Sequence, residues 1–312
     1  MDLDALATLR ASDLRAALPG FLASYVDDEW ASESNRERVE TLIRHWSDGD
    51  LESIRDHLGE LGQEPRPYPA HPKGRGLSRT WCRDVIPDGR VDGVAHLAAA
   101  VDRGPTVVIC NHLAYVDSQA IDAVLAWSGA AALANRLVSL AGPKVYANLF
   151  RRIASLCLNT LPVPQSTAVG HEDALSPREL ARQARASLDL ANGLLDEGQV
   201  LLLFAEGTRS RDTRLQEFIP GTARYLRKEG LAVVPAGLVG TQRVMPVGER
   251  GLTPGVVRLS FGAAIDVAEA GGPKPALAAV HEAVAALLPG DQRPGDEVSP
   301  DAVTLDDEDD DS

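Results

Sequence analysis

Apolar residues recur at helical spacing through the first sixty positions and switch to short continuous runs after Leu77. Val39, Leu42, Ile43 and Trp46 fall at i, i+3, i+4 and i+7, one face of a helix. Leu51, Ile54, Leu58 and Leu61 repeat the stripe. Ser34 and Glu37 have the spacing of a capping box, which predicts a helix start at that point. GQEPRPYPAHPKGRG, residues 62–76, follows, and its prolines and glycines predict an irregular crossing.

Beyond Leu77, apolar runs alternate with helical patterns. TVVICN, QVLLLFAE, LAVVPAGLVG and VVRLSFG read as buried strands. SPRELARQARASLDLANGLLDEG reads as a helix with Ser176 as cap, Pro177 first and Glu179 third. PALAAVHEAVAALL closes the segment as a second helix. The alternation predicts an α/β fold, a mixed and largely buried central sheet flanked by helices. The expected organisation is a helical N-terminal region and Pro-rich linker over 1–76, an α/β domain over 77–289 and a disordered acidic tail over 290–312. That tail finishes LDDEDDDS and carries too little apolar surface to fold.

Composition narrows the classes. A chain of 312 residues with 44% hydrophobic residues has enough apolar material for a large core. A net charge of −14 argues against nucleic acid as a partner and against broad adhesion to anionic lipid. Three cysteines, Cys82, Cys110 and Cys157, suit a reducing compartment better than a disulfide framework. Met1 is followed by Asp-Leu-Asp, unlike a signal peptide, and no apolar run approaches the roughly 20 residues of a spanning helix. The expectation is a cytoplasmic protein that meets membranes only peripherally, at the surface. No metal spacing appears among the histidines, so no metal or cofactor is expected.

Two polar turns carry the candidate chemistry. In VVICNHLAYVDS an apolar strand ends in Asn-His, and Asp117 follows His112 by five positions. On one helix those two side chains would sit about 140° apart. In a turn leading into a helix that starts near Asp117, the carboxylate can fold back on the imidazole, orienting one ring nitrogen and leaving the other to take a proton. In LLLFAEGTRSR a second strand ends in Glu206, Gly207, Thr208, Arg209 and Arg211. Backbone amides and guanidinium forks are what a phosphate requires. This basic cluster reverses the sign of an otherwise acidic chain. Cys110, on a buried strand, reads as core rather than nucleophile, and the chain has no G-x-S-x-G nucleophile elbow.

Together NHLAYVD and FAEGTRS resemble the N-H-x-x-x-x-D and F-P-E-G-T-R-S signatures of the glycerolipid acyltransferases, the glycerol-3-phosphate and lysophosphatidate acyltransferases. VVPAGLVG and VRLSFGAAI match a further block, so the similarity runs over residues 95 to 266. The helical N-terminal region and AGPKVYANLFRRIAS look more like the plastid-type glycerol-3-phosphate enzymes. The resemblance implies an O-acyltransferase of phospholipid synthesis. His112 would act as general base on the acceptor hydroxyl, oriented by Asp117, with direct attack on an acyl thioester, acyl-CoA or acyl carrier protein. Glu206, Gly207, Thr208, Arg209 and Arg211 would shape the site for glycerol phosphate or lysophosphatidate, with Lys144 from a neighbouring loop. Two positions depart from the pattern: Ala205 replaces a proline, and Gln165 in LPVPQS stands where the family has a basic residue. The alternatives are a non-catalytic lipid or acyl-carrier binding module, and a thioesterase, on the same scaffold. An intact His112–Asp117 pair argues against the first, and an arginine-bearing turn against the second.

Overall fold

The described N-terminal region holds the helices α1 (Ala11–Ala23), α2 (Glu29–Ile43), α3 (Asp48–Glu60) and α4 (Pro72–Val85). The computed structural model describes residues 8–62, 64–146, 149–164, 176–246, 248 and 251–294. α2 begins ahead of the expected box, capped by Asp28, which accepts from the Ala31 amide at 2.8 Å. Ser34 therefore lies inside the helix, where its hydroxyl donates to Asp84 at 2.9 Å. Arg38 on the same face grips that carboxylate with two 3.0 Å bonds. Tertiary donors on one buried carboxylate outweigh a local cap. The capping box occurs one helix later, between Ser47 and Asp50 at the start of α3.

The irregular crossing is shorter than its composition suggests. Pro72 takes the first position of α4, where a missing N–H costs nothing, and the His71 ring accepts from the Gly74 amide. Gly74 is required by close approach: a Cβ there would lie 2.9 Å from Leu156.

The strands β1 (Asp88–Asp92), β2 (Thr106–Cys110), β3 (Leu137–Ala141), β4 (Asn159–Pro162), β5 (Val200–Phe204), β6 (Ala232–Val239), β7 (Val256–Phe261) and β8 (Ile265–Asp266) form one sheet. Its order is β1-β7-β6-β2-β5-β3-β4, with β8 also on β6. β6 pairs antiparallel with β7 and β8, and the remaining pairs are parallel, so the sheet is mixed as expected. The helices between and after the strands are α5 (Val94–Arg103), α6 (Asp117–Leu125), α7 (Ala131–Arg136), α8 (Leu149–Leu156), α9 (Pro177–Asp196), α10 (Thr241–Val244) and α11 (Pro273–Leu287). α9 starts as its sequence predicts, with Ser176 Oγ accepting from the Glu179 amide at 3.2 Å.

The apolar runs follow from the layers. Val107 and Ile109 of β2 enter a core with Leu194 and Leu195 of α9 and Val280 and Val284 of α11. Val108 and Cys110 point the other way, into a core shared with α1 to α4, α6 and α8. A strand covered on both faces has no polar side, so its sequence does not alternate. Each such side chain contributes about 1.5–3 kcal/mol by burial. α4 is tied to α6 by Arg75 and Arg79, which reach Asp122 at 3.3 and 2.8 Å.

The tail expected from 290 onward begins as packed structure. The Gln292 carbonyl accepts from the Leu215 amide at 2.9 Å, and Arg293 donates to the Leu288 carbonyl at 3.0 Å. Residues 295–312 lie outside the described residues.

Candidate active site

β2 lies between β5 and β6, and the site forms just past its carboxyl end. The regular β2–β6 register ends at Cys110 opposite Ala236. Asn111 then continues the ladder with its side chain. Its Nδ2 donates to the Leu238 carbonyl at 2.9 Å, and its Oδ1 accepts from the Leu238 amide at 2.8 Å. The carboxamide stands in for a peptide unit, so the main chain can leave the sheet at residue 112 without abandoning β6.

The released backbone of His112 is held by the second motif. Its amide donates to Glu206 Oε1 at 2.6 Å, and its carbonyl accepts from the Ser210 amide at 2.8 Å. The imidazole stacks on Phe204, the last residue of β5, with centroids 4.4 Å apart and an interplanar angle of 25°. Nδ1 lies 2.8 Å from Asp117 Oδ2. The turn thus brings His112 and Asp117 together, as their spacing predicts. The amides that Asp117 serves are not those of the helix start. Oδ2 accepts from Leu113 at 2.7 Å and Ala114 at 3.0 Å, upstream of α6. The buried carboxylate organises the turn before it, and Val116 occupies the cap position of α6. With Nδ1–H donated to Asp117, Nε2 is the nitrogen that can accept a proton.

Glu206 is 5% exposed. Its second oxygen accepts from the Gln216 amide at 2.8 Å, so one carboxylate braces two loops. Burial pushes its pKa up to about 7, although both backbone N–H groups favour the charged form. Gly207 has φ +74°, and a Cβ there would meet Ile219 Cδ1 at 2.1 Å, so the turn requires glycine. Ala205, in place of a proline, anchors the same turn through its carbonyl, which accepts from the Ile219 amide at 2.8 Å. Thr208 is exposed.

Arg209 is half-buried, its guanidinium carbon 3.5 Å from the centroid of the Tyr115 ring. Burial draws its pKa down, and the nearby Arg151 acts in the same direction. Arg211 is exposed on the same turn. Lys144 is exposed on the short 3-10 turn Pro143–Tyr146, and its carbonyl accepts from Arg151 Nη1 at 3.2 Å. Gln165 lies outside the described residues.

Three features of the site are not apparent from the motifs: Tyr115 and Arg151 beside Arg209, and the bridging role of Asn111. The FRR triplet did hold a signal. Leu149, Ile153 and Leu156 place the buried face of α8, which turns residue 151 outward. Cys110 is fully buried, and burial raises its thiol pKa well above the ordinary range, in keeping with a core position. Ser118 pairs with Ser139 at 3.0 Å. Among the described residues, no group of three or more His, Cys, Asp or Glu side chains is arranged to hold a metal, and no helix is long and apolar enough to cross a membrane.

The family profile described as Acyltransferase matches residues 90–239. A 59-residue stretch is 46% identical to the 1-acyl-sn-glycerol-3-phosphate acyltransferase LPAT1, chloroplastic, of Arabidopsis thaliana, covering 19% of this chain and 17% of that protein. A 73-residue stretch is 42% identical to a 1-acyl-sn-glycerol-3-phosphate acyltransferase of Chlamydomonas reinhardtii, covering 23% of this chain and 22% of the relative. The chain thus matches about a fifth of the length of these relatives. The crystal structure of the 1-acyl-sn-glycerophosphate (LPA) acyltransferase PlsC from Thermotoga maritima aligns over 86% of this chain and 94% of its own, with 16% identity and a TM-score of 0.44.

Proposed function

We propose, because the Acyltransferase profile matches residues 90–239 and the matched relatives are 1-acyl-sn-glycerol-3-phosphate acyltransferases, that this chain moves a fatty acyl group from a thioester to a hydroxyl of 1-acylglycerol-3-phosphate. The carrying observation is the juxtaposition of a carboxylate-held imidazole, His112–Asp117, with the half-buried Arg209 of the second turn. His112 Nε2 takes the proton of the acceptor hydroxyl as its oxygen attacks the thioester carbonyl. The C–S bond breaks, and the proton passes from the imidazolium to the departing thiolate. Asp117 holds the ring in the tautomer that leaves Nε2 basic, and its charge stabilises the imidazolium that forms. No acyl-enzyme is required, which fits the deeply buried Cys110.

Arg209 and Arg211 supply positive charge to the acceptor phosphate, with Lys144 at the rim. Glu206 acts indirectly: it fixes the backbone of His112 relative to the loop that carries the arginines. Gly207 and Thr208 give that loop its tight turn. The activity of the matched relatives favours the 1-acyl acceptor, and glycerol-3-phosphate is the second acceptor to test. The donor is acyl-CoA or acyl carrier protein. A 1-acyl acceptor resides in a bilayer, so the reading places the protein at a cytoplasmic membrane surface.

The test is an acyl-transfer assay that crosses both donors with both acceptors and identifies the lipid products by mass. Phosphatidate formed only when the 1-acyl acceptor is present supports the reading. Release of free fatty acid at the same rate with and without acceptor would make the protein a thioesterase instead.

A further inference from the structure

Tyr115 sits between His112 and Asp117 in the first turn, and two guanidiniums converge on its ring. Arg209 lies 3.5 Å from the ring centroid and Arg151 lies 4.4 Å from it. The two guanidinium carbons are therefore no farther apart than those distances added together. Within that limit one phosphate beside the ring can accept from both guanidiniums.

Arg151 comes from α8, far in sequence from both motifs. The adjacent Arg152 is structural. Its guanidinium donates to the carbonyls of Leu61 at 2.6 Å and Tyr146 at 2.9 Å, fastening α8 to the end of α3. Arg151 turns the opposite way, with Nη1 on the Lys144 carbonyl and its plane over Tyr115. Two like charges held on one half-buried ring repel each other, and an anion bound beside them offsets that repulsion.

We propose that Arg151 and Arg209 form a two-sided clamp for the acceptor phosphate, with Tyr115 as the platform that sets the clamp beside His112. This rests on the reading of the chain as an acyltransferase with a phosphorylated acceptor and adds a residue to that site. The chemistry agrees with the placement. In 1-acylglycerol-3-phosphate the reacting hydroxyl is separated from phosphorus by two carbons and one oxygen. A phosphate held by Arg151 and Arg209 beside Tyr115 therefore delivers that hydroxyl to a base three positions away along the same turn.

The test has a binding arm and a turnover arm. Binding of glycerol-3-phosphate and of inorganic phosphate is measured by calorimetry for the parent, Arg151→Ala, Arg151→Lys, Tyr115→Phe and Tyr115→Leu. Turnover is measured with 1-acylglycerol-3-phosphate and with monoacylglycerol, which lacks the phosphate. The clamp predicts that Arg151→Ala weakens both phosphate probes by roughly tenfold or more and raises the acceptor KM in step. The donor KM and the slow use of monoacylglycerol stay at the parent level. Arg151→Lys recovers part of the loss, since a point charge cannot make two parallel contacts. Tyr115→Phe, which keeps the ring, weakens phosphate binding less than Tyr115→Leu, which removes the ring with both charges retained. If Arg151→Ala fails to fold, Arg151→Lys and Tyr115→Leu still report the effect. Equal phosphate affinity in folded variants and parent overturns the clamp even where transfer is intact. Weakened phosphate affinity supports it even if the parent transfers no acyl group, an outcome that would sink only the proposed reaction.

Discussion

Replacing single side chains separates base, brace and clamp. His112→Ala is expected to lower transfer by roughly 10²–10⁴-fold, the range of general-base catalysis, while the protein stays folded. Turnover of a folded variant near the parent rate would remove the base assignment. Glu206 predicts a pH effect on stability. Its folded pKa is raised from the usual carboxylate range to about 7 by burial, so between that range and pH 7 the folded state holds a proton that the unfolded chain has lost. Stability should fall as pH rises through that window, by at most about 3 kcal/mol. Glu206→Gln should flatten this part of the curve, as read by urea unfolding at pH 5 and pH 8. At this scale the His112–Asp117 pair was legible because both members lie in one seven-residue motif. The fold-back of Asp117 onto Leu113 and Ala114 was not, since amides carry no sequence signature. Arg151 was hidden for another reason: it meets Tyr115 only through the placement of α8.

Elements show why composition alone misjudged two boundaries. Pro72 and Gly74 look like breakers, yet one sits where a helix tolerates proline and the other where Leu156 leaves no room for a side chain. Ser34 looks like a cap, yet Asp84 recruits it. β2, β5, β6 and β7 were readable as apolar runs. β1, with its sequence DGRVD, and the four-residue β4 were not, because short strands at or near the sheet edges need no continuous apolar run. The link between α4 and α6 is expected to matter for both stability and turnover. Asp122→Ala leaves Arg75 and Arg79 without their shared carboxylate and should cost about 3–5 kcal/mol in denaturant unfolding. α6 also begins at Asp117, so the same variant should lose turnover at temperatures where it is still folded. A loss under about 1 kcal/mol, the usual worth of an exposed pair, would mean that the ion pairs are surplus to the packing.

For the molecule as a whole, the chain end contributes further than its acidic composition suggests. Truncation after Gly290 removes the carbonyl that receives the Leu215 amide and the buried Gln292, on the loop that also holds Gln216 against Glu206. It should lower stability by about 1–3 kcal/mol relative to truncation after Pro294. Matched melting temperatures for the two truncations would show that residues 291–294 add nothing. The α/β plan was visible from the alternation of runs, but the sharing of one core by α1 to α4 and the sheet was not, because stripes reveal a buried face without naming its partner. The same long-range joining governs when the site comes into being. The Glu206 oxygen that receives the His112 amide lies 94 positions downstream, and the Leu238 peptide that receives Asn111 lies 127 positions downstream. While the ribosome is still making the chain, β2 emerges with neither flanking strand, and the turn beside it has no scaffold. The histidine is present early and idle. On the proposed reading, competence for transfer arrives late, when β6 closes against β2, rather than growing residue by residue with synthesis.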